Sequence, residues 1–107
     1  EKLIDAVIAV SGSSPAYVYM MIEAMGDAAV AGGMTRDKAY KFAAQAVLGS
    51  AKMVLETGIH PGELKDMVCS PGGTTIEAVA ALEENGFRNA IIKAMKVCEE
   101  KSKEMSK

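Results

Sequence analysis

The sequence predicts an all-α fold, on three observations. Apolar residues recur at helical spacing through most of the chain. Gly-Gly pairs and Ser/Pro turns cut that pattern into segments of helical length. No stretch alternates apolar and polar residues as a half-buried strand would, and no hairpin turn separates two apolar runs. The 107 residues are half apolar, with 24% charged and a formal net charge of -2. That is enough for one domain with a core, so residues 1–107 are predicted to form a single helical domain.

Taken in order, Glu1 to Val10 places Leu3, Ile4, Val7 and Ile8 on one side, a short amphipathic helix or the tail of a longer one. Ser11-Gly12-Ser13-Ser14 is expected to stop it, with Ser14 as N-cap and Pro15 at the first position of the next helix. From Pro15 to about Gly32 the chain is apolar nearly all round. Its only charges, Glu23 and Asp27, lie four residues apart on one face. Gly32-Gly33 ends this helix, and Thr35 is the expected cap of the next, which runs from Arg36 to Glu56 with no charge between Phe42 and Ala51. The short connection makes the two long helices an antiparallel hairpin.

Two such helices carry more apolar surface than the rest of the chain can cover, which predicts a homodimer with the hairpin at its centre. The eight methionines, with Met20, Met21 and Met25 in one helix, read as adaptable core filler. After the break Thr57-Gly58-Ile59-His60-Pro61, a short helix is predicted with Leu64 and Val68 inside and Glu63, Lys65 and Asp66 outside. A further short helix carries Ile76, Val79 and Leu82 and closes at Asn85-Gly86. The last uses Phe87, Ile91, Ala94, Met95 and Cys98, and is expected to fray into a solvated tail from Glu99 to Lys107.

Composition narrows the chemistry. Twelve Lys and Arg are scattered and balanced by 14 acids, and no aromatic residues interleave a basic stripe, which disfavours nucleic acid. No apolar run approaches the 18 residues of a membrane span, and no signal-peptide order is present, so a cytoplasmic protein is expected. Cys69 and Cys98 have no metal-ligand spacing and are expected to be reduced thiols; no metal is predicted. His60, before Pro61, reads as a surface or helix-capping residue, since no Ser or Cys is paired with it as a nucleophile. No catalytic residue is assigned within the chain.

One stretch does suggest a ligand. In Ser70-Pro71-Gly72-Gly73-Thr74-Thr75-Ile76-Glu77 a stiff turn runs into a helix start. Thr74 and Glu77 have capping-box spacing, which leaves the Thr75 hydroxyl and the amides of Thr75 and Ile76 free at the positive end of the helix dipole. A small carboxylate or phosphate fits there; a plain capped helix is the alternative. The glycine pair is neither the phosphate loop followed by Lys nor the dinucleotide fingerprint.

Two motifs together resemble the C-terminal domain of the pyrroline-5-carboxylate reductase family: Ser11-Gly12-Ser13-Ser14-Pro15-Ala16-Tyr17, and Leu64-Lys65-Asp66 leading into Ser70 to Ile76. Ala44-Gln45, Gly49, Ala51-Lys52-Met53 and Gly86-Phe87-Arg88 fall in the family's order, so the resemblance covers the chain. It implies an interlocked helical homodimer, with higher assembly left open. It also implies a part in the NADPH- or NADH-dependent reduction of 1-pyrroline-5-carboxylate to L-proline, the last step of proline synthesis.

The cofactor would be held mainly by an N-terminal dinucleotide-binding domain absent from this chain, so the domain alone is expected to be inactive. Carried over by position, Ser70, Gly72, Gly73, Thr74, Thr75 and Ile76 would hold the substrate carboxylate, Thr75 by direct contact, and Val68 and Cys69 would line the approach. Ser14 stands where the family often has Gly, and Gly58 where some members carry an acid. The competing readings are a non-catalytic helical dimerisation module and the helical domain of a related imine or hydroxy-acid reductase.

Overall fold

The computed structural model describes residues 2–106. Its elements are α1 (Lys2–Val7), a π-helical turn (Ile8–Gly12), α2 (Ser14–Ala31), α3 (Arg36–Thr57), α4 (Pro61–Val68), α5 (Thr74–Glu84) and α6 (Phe87–Met105). Among the described residues there is no strand. The chain divides into two compact units, one of Glu1–Tyr17 with Gly72–Lys107 and one of Val18–Pro71.

In the first unit, α1 and the π turn pack on α6, and α5 also packs on α6. Ala9 is fully buried there. Two polar contacts fix the pairing: Ser102 Oγ donates to Asp5 Oδ1 at 2.7 Å, and the Cys98 thiol donates to Ser13 Oγ at 3.1 Å. As the first partner advances from 5 to 13 the second retreats from 102 to 98, so the helices run antiparallel. The solvated tail expected from Glu99 onward is instead helical to Met105, because its Ser102 face has Asp5 to bond.

The expected stop at Ser11-Gly12-Ser13-Ser14 is also corrected. The helix continues through one π turn, closed by the Ser13 amide on the Ile8 carbonyl at 2.9 Å, and α2 starts after a bend at Ser13 alone. Ser14 does not cap: its hydroxyl bonds back to the Val10 carbonyl, and Ser11 Oγ donates to the Val7 carbonyl at 2.9 Å. Serine hydroxyls that return to a carbonyl four residues back bend a helix without ending it, and a π turn absorbs the extra residue. The stretch Leu3–Ala31 consequently runs for 29 residues with only Ser13 out of helical conformation, long and apolar enough to cross a membrane by length and composition, contrary to the expectation that no apolar run approaches that length.

In the second unit, α2 and α3 form the hairpin. Gly33 adopts φ 110°, its amide bonding Val30 and the Met34 amide reaching back to Ala29, the two bonds that close a helix onto a left-handed residue. Beyond this turn, Arg36 Nη1 donates to Asp27 Oδ1 at 2.7 Å and to the Tyr40 hydroxyl at 2.8 Å. Gly26 is buried, and a Cβ built on it would overlap the Tyr40 ring. Thr35 occupies the N-cap of α3 as expected, but its side chain makes no cap bond.

The Gly26 contact gives a direct test. Gly26→Ala forces the ring or the backbone to move, and overpacking of this kind costs about 1–3 kcal/mol. It is expected to lower the thermal midpoint measurably, and an unchanged midpoint would mean that the two helices do not approach through this pair.

The chain has little apolar core of its own. Ala39 and Ala43 are the buried apolar residues of the second unit, while Met20, Phe42, Leu48 and Leu55 stay 60–84% exposed. Away from the turn, α2 and α3 leave an open groove of about 430 Å³ lined by Met21, Met25, Val47, Ala51 and Val54. Of the eight methionines expected to fill a core, Met20, Met25, Met53, Met67 and Met105 are exposed in a single copy.

Candidate functional site

The helix start singled out above is present, in a different register. Gly72 takes φ 67°, which a side chain rarely tolerates, and Gly73 follows in extended backbone (φ -83°, ψ 175°) as the N-cap of α5. Thr74 is already helical. The expected Thr74–Glu77 capping box is thus displaced by one residue: the cap position falls on a glycine, which has no hydroxyl, and no side chain caps α5. This leaves the turn more open to a ligand than the box would. Among the described residues the amides of Thr74, Thr75 and Ile76 find no acceptor outside the helix. Helix geometry leaves first-turn donors without a partner inside it. Thr75 is half-buried, while Thr74 is exposed and Ile76 is 39% exposed. Gly72 through Ile76 thus present consecutive donors and hydroxyls at a positive helix end, which suits a compact anion.

The other predicted residues lie in the Val18–Pro71 unit. α4 opens with Pro61 at its first position, and His60 caps it, Nδ1 accepting from the Gly62 amide at 2.9 Å. This places the single histidine as a cap, one of the two roles read from sequence, and engages the nitrogen that a general base would need. Leu64 is half-buried as expected, but Val68 is 64% exposed, contrary to its assignment as an inner residue. Val68 lies on the same face as Leu64 but is the last residue of α4, at the helix end. Val68 lines an apolar groove of about 350 Å³ with Val54, Pro61 and Leu64. Cys69 is half-buried and bonds the Asp66 carbonyl through its amide at 3.1 Å, and Ser70 is exposed. Gly58 is the left-handed end of α3 at φ 68°, a conformation that favours glycine.

One cluster was not legible in the sequence. Ser13, Tyr17 and Cys98 meet where the π turn lies on α6; partial burial, with the neighbouring thiol adding to it, pushes the Tyr17 phenol above its ordinary value. Its members are up to 85 positions apart, and no local pattern announces such a pair. Both cysteines are free thiols, and among the described residues no group of three or more His, Cys, Asp or Glu could hold a metal.

Residues 1–105 match the family model for pyrroline-5-carboxylate reductase dimerisation. The chain is 74% identical over all 107 residues to the pyrroline-5-carboxylate reductase of Escherichia coli K12, and 57% identical to that of Methanosarcina acetivorans. It spans about 40% of the length of these curated relatives. Among solved structures it is similar to Plasmodium falciparum pyrroline carboxylate reductase with NADP bound. That match has a TM-score of 0.95 and 38% identity, and covers 100% of this chain and 41% of that one. The reductase from Coxiella burnetii matches equally well, with a TM-score of 0.95 and 41% identity over 100% of this chain and 40% of that one.

Proposed function

The chain belongs to the pyrroline-5-carboxylate reductase dimerisation family, and from that premise we propose that it is the dimer-forming, substrate-holding part of an enzyme that reduces 1-pyrroline-5-carboxylate to L-proline. The observation that carries this reading is the uncapped start of α5, where Gly72 and Gly73 open the backbone and Thr74, Thr75 and Ile76 offer donors to one small carboxylate. Ser70, Val68 and Cys69, in the Val18–Pro71 unit, are assigned to the same substrate by their positions in the family's motif.

The partner of this reaction is a pyridine nucleotide, NADPH or NADH, in keeping with the NADP bound to the Plasmodium relative. The glycine turn is not a nucleotide motif: it lacks the following lysine of a phosphate loop, and it follows no strand among the described residues. The nucleotide is therefore assigned to an N-terminal dinucleotide-binding domain outside residues 1–107, and the isolated domain is inactive. What these residues contribute is orientation. A carboxylate pinned by the α5 amides and the Thr75 hydroxyl fixes which face of the imine ring is presented, and with it the configuration of the product.

The assembly is a homodimer, interlocked through the hairpins. Met20, Leu48, Met53 and Leu55 are each 49–84% exposed in one copy, and burial of such a side chain contributes about 1.5–3 kcal/mol. The 29-residue helical stretch Leu3–Ala31 reads in this setting as a packed helix of a cytoplasmic protein. Asp5 and Ser13 tie its first part to α6, and Asp27 is held by Arg36.

L-Proline titrated into the isotope-labelled chain should shift the amides of Thr75 and Ile76 before others. No perturbation would leave a structural dimerisation module. Preference for an acyclic hydroxy acid would point to a related reductase.

A further inference from the structure

We propose that His60 is an acid-sensitive cap: with the imidazole neutral it secures the first turn of α4, and protonation releases that turn and loosens the approach to the Ser70–Thr75 loop. The geometry fixes the protonation state the cap requires. Nδ1 accepts the Gly62 amide at 2.9 Å, so in the capped state that nitrogen carries a lone pair and the ring proton sits on Nε2. A proton added to Nδ1 removes the acceptor and sets a donor against the Gly62 N–H. It also places a positive charge at the positive end of a helix.

The surroundings do little to oppose it. His60 is exposed, so a proton reaches it without local unfolding. The charged groups on the flanking elements are Lys52 and Glu56 near the end of α3, and Glu63, Lys65 and Asp66 on α4. Lys52 pairs with Glu56 at 3.6 Å and Lys65 with Asp66 at 2.9 Å. Among the described residues no ion pair reaches His60. Glu63, three residues on and in the first turn, would attract the charged ring, but an exposed pair at that spacing is worth less than a cap. Two further first-turn amides depend on the same residue, since Glu63 and Leu64 both donate to the His60 carbonyl, at 2.9 and 3.1 Å. The helix is only eight residues long and ends at Val68, directly before Cys69 and Ser70. A frayed first turn is therefore a large part of the element that leads into the loop. The structural half of this inference stands alone; its effect on ligand binding rests on the function proposed above.

The test is amide exchange of Gly62, Glu63 and Leu64 in the 107-residue chain, each corrected for the intrinsic rate at its pH, between pH 7.5 and 5. Protection is expected to fall about fivefold on acidification, the size of a lost N-cap. His60→Asn, which keeps a capping acceptor that does not titrate, should stay flat near the neutral-pH level, and His60→Ala should be low throughout. Flat protection in the unmodified chain, or the same acid loss in His60→Asn, would overturn the proposal. Should His60→Ala fail to fold, the other two decide it. Proline affinity followed in parallel should weaken with acid in the unmodified chain and not in His60→Asn. Equal weakening in both would overturn the link to the loop. Absence of proline binding at every pH would overturn that link and the function above, while the exchange data still decide the cap.

Discussion

Val47→Asp is expected to abolish the dimer. Val47 lines the groove between α2 and α3 together with Met21, Met25, Ala51 and Val54, a surface with one polar side chain, Ser50, and no charged group. In a single copy the groove is open, and a carboxylate at its edge would keep its water and cost little. If the groove is where a second copy seats, the same carboxylate is desolvated without a cation beside it. An unpaired buried charge is among the most costly changes a core can suffer, roughly 3 kcal/mol or more after relaxation. Twofold symmetry applies that cost twice, which weakens association by about four orders of magnitude. Light scattering should then report the 11.2 kDa of one chain in place of twice that mass. Helical circular dichroism should fall as well, because among the described residues the buried apolar ones of one copy are three alanines. A variant that retains the dimeric mass and the original thermal midpoint would show that this groove faces water in the assembled protein.

Signals carried by one residue's backbone could be read from the sequence, and contacts between distant residues could not. Helix ends made by glycine were legible: Gly33, Gly58 and Gly86 all take positive φ where a stop was expected, since the signal is a property of one residue's backbone. Ends assigned from hydroxyl side chains were not. Ser11 and Ser14 have the chemistry of caps, yet a serine hydroxyl can equally return to the carbonyl four residues back, and here both do so. The same ambiguity displaced the start of α5, where extended backbone at Gly73 took the cap position from Thr74. The helical end of α6 rests on Ser102 meeting Asp5 across 97 positions, and Arg36 finds Asp27 across a turn. Neither pairing has a local signature. The excess of apolar surface was legible because it is a sum over residues and needs no geometry. The donors at the start of α5 were legible as a turn that exposes backbone; the family resemblance gave that turn a ligand.

The register at α5 also sets the size of the second large effect. Thr75→Ala, made in a reductase that carries this domain on its dinucleotide-binding partner, is expected to raise KM for the imine about 10- to 100-fold while leaving KM for the nicotinamide cofactor within about twofold. A hydroxyl donating to a carboxylate contributes about 1.5–3 kcal/mol, more than a neutral pair, because the acceptor is charged. The loss is bounded above because no capping side chain competes for the amides of Thr75 and Ile76, and they stay with the ligand when the hydroxyl is removed. It is bounded below because Thr75 is half-buried, so water replaces the hydroxyl imperfectly. An interaction made equally with bound substrate and transition state appears in KM and not in kcat. A fall in kcat alone would mean instead that Thr75 acts during hydride transfer. Thr75→Ser, which keeps the oxygen and deletes a methyl group, should recover most of the affinity. If Thr75→Ala raises both KM values together, the hydroxyl supports the fold of the loop and does not hold the substrate, and the carboxylate must be sought elsewhere along Gly72 to Ile76.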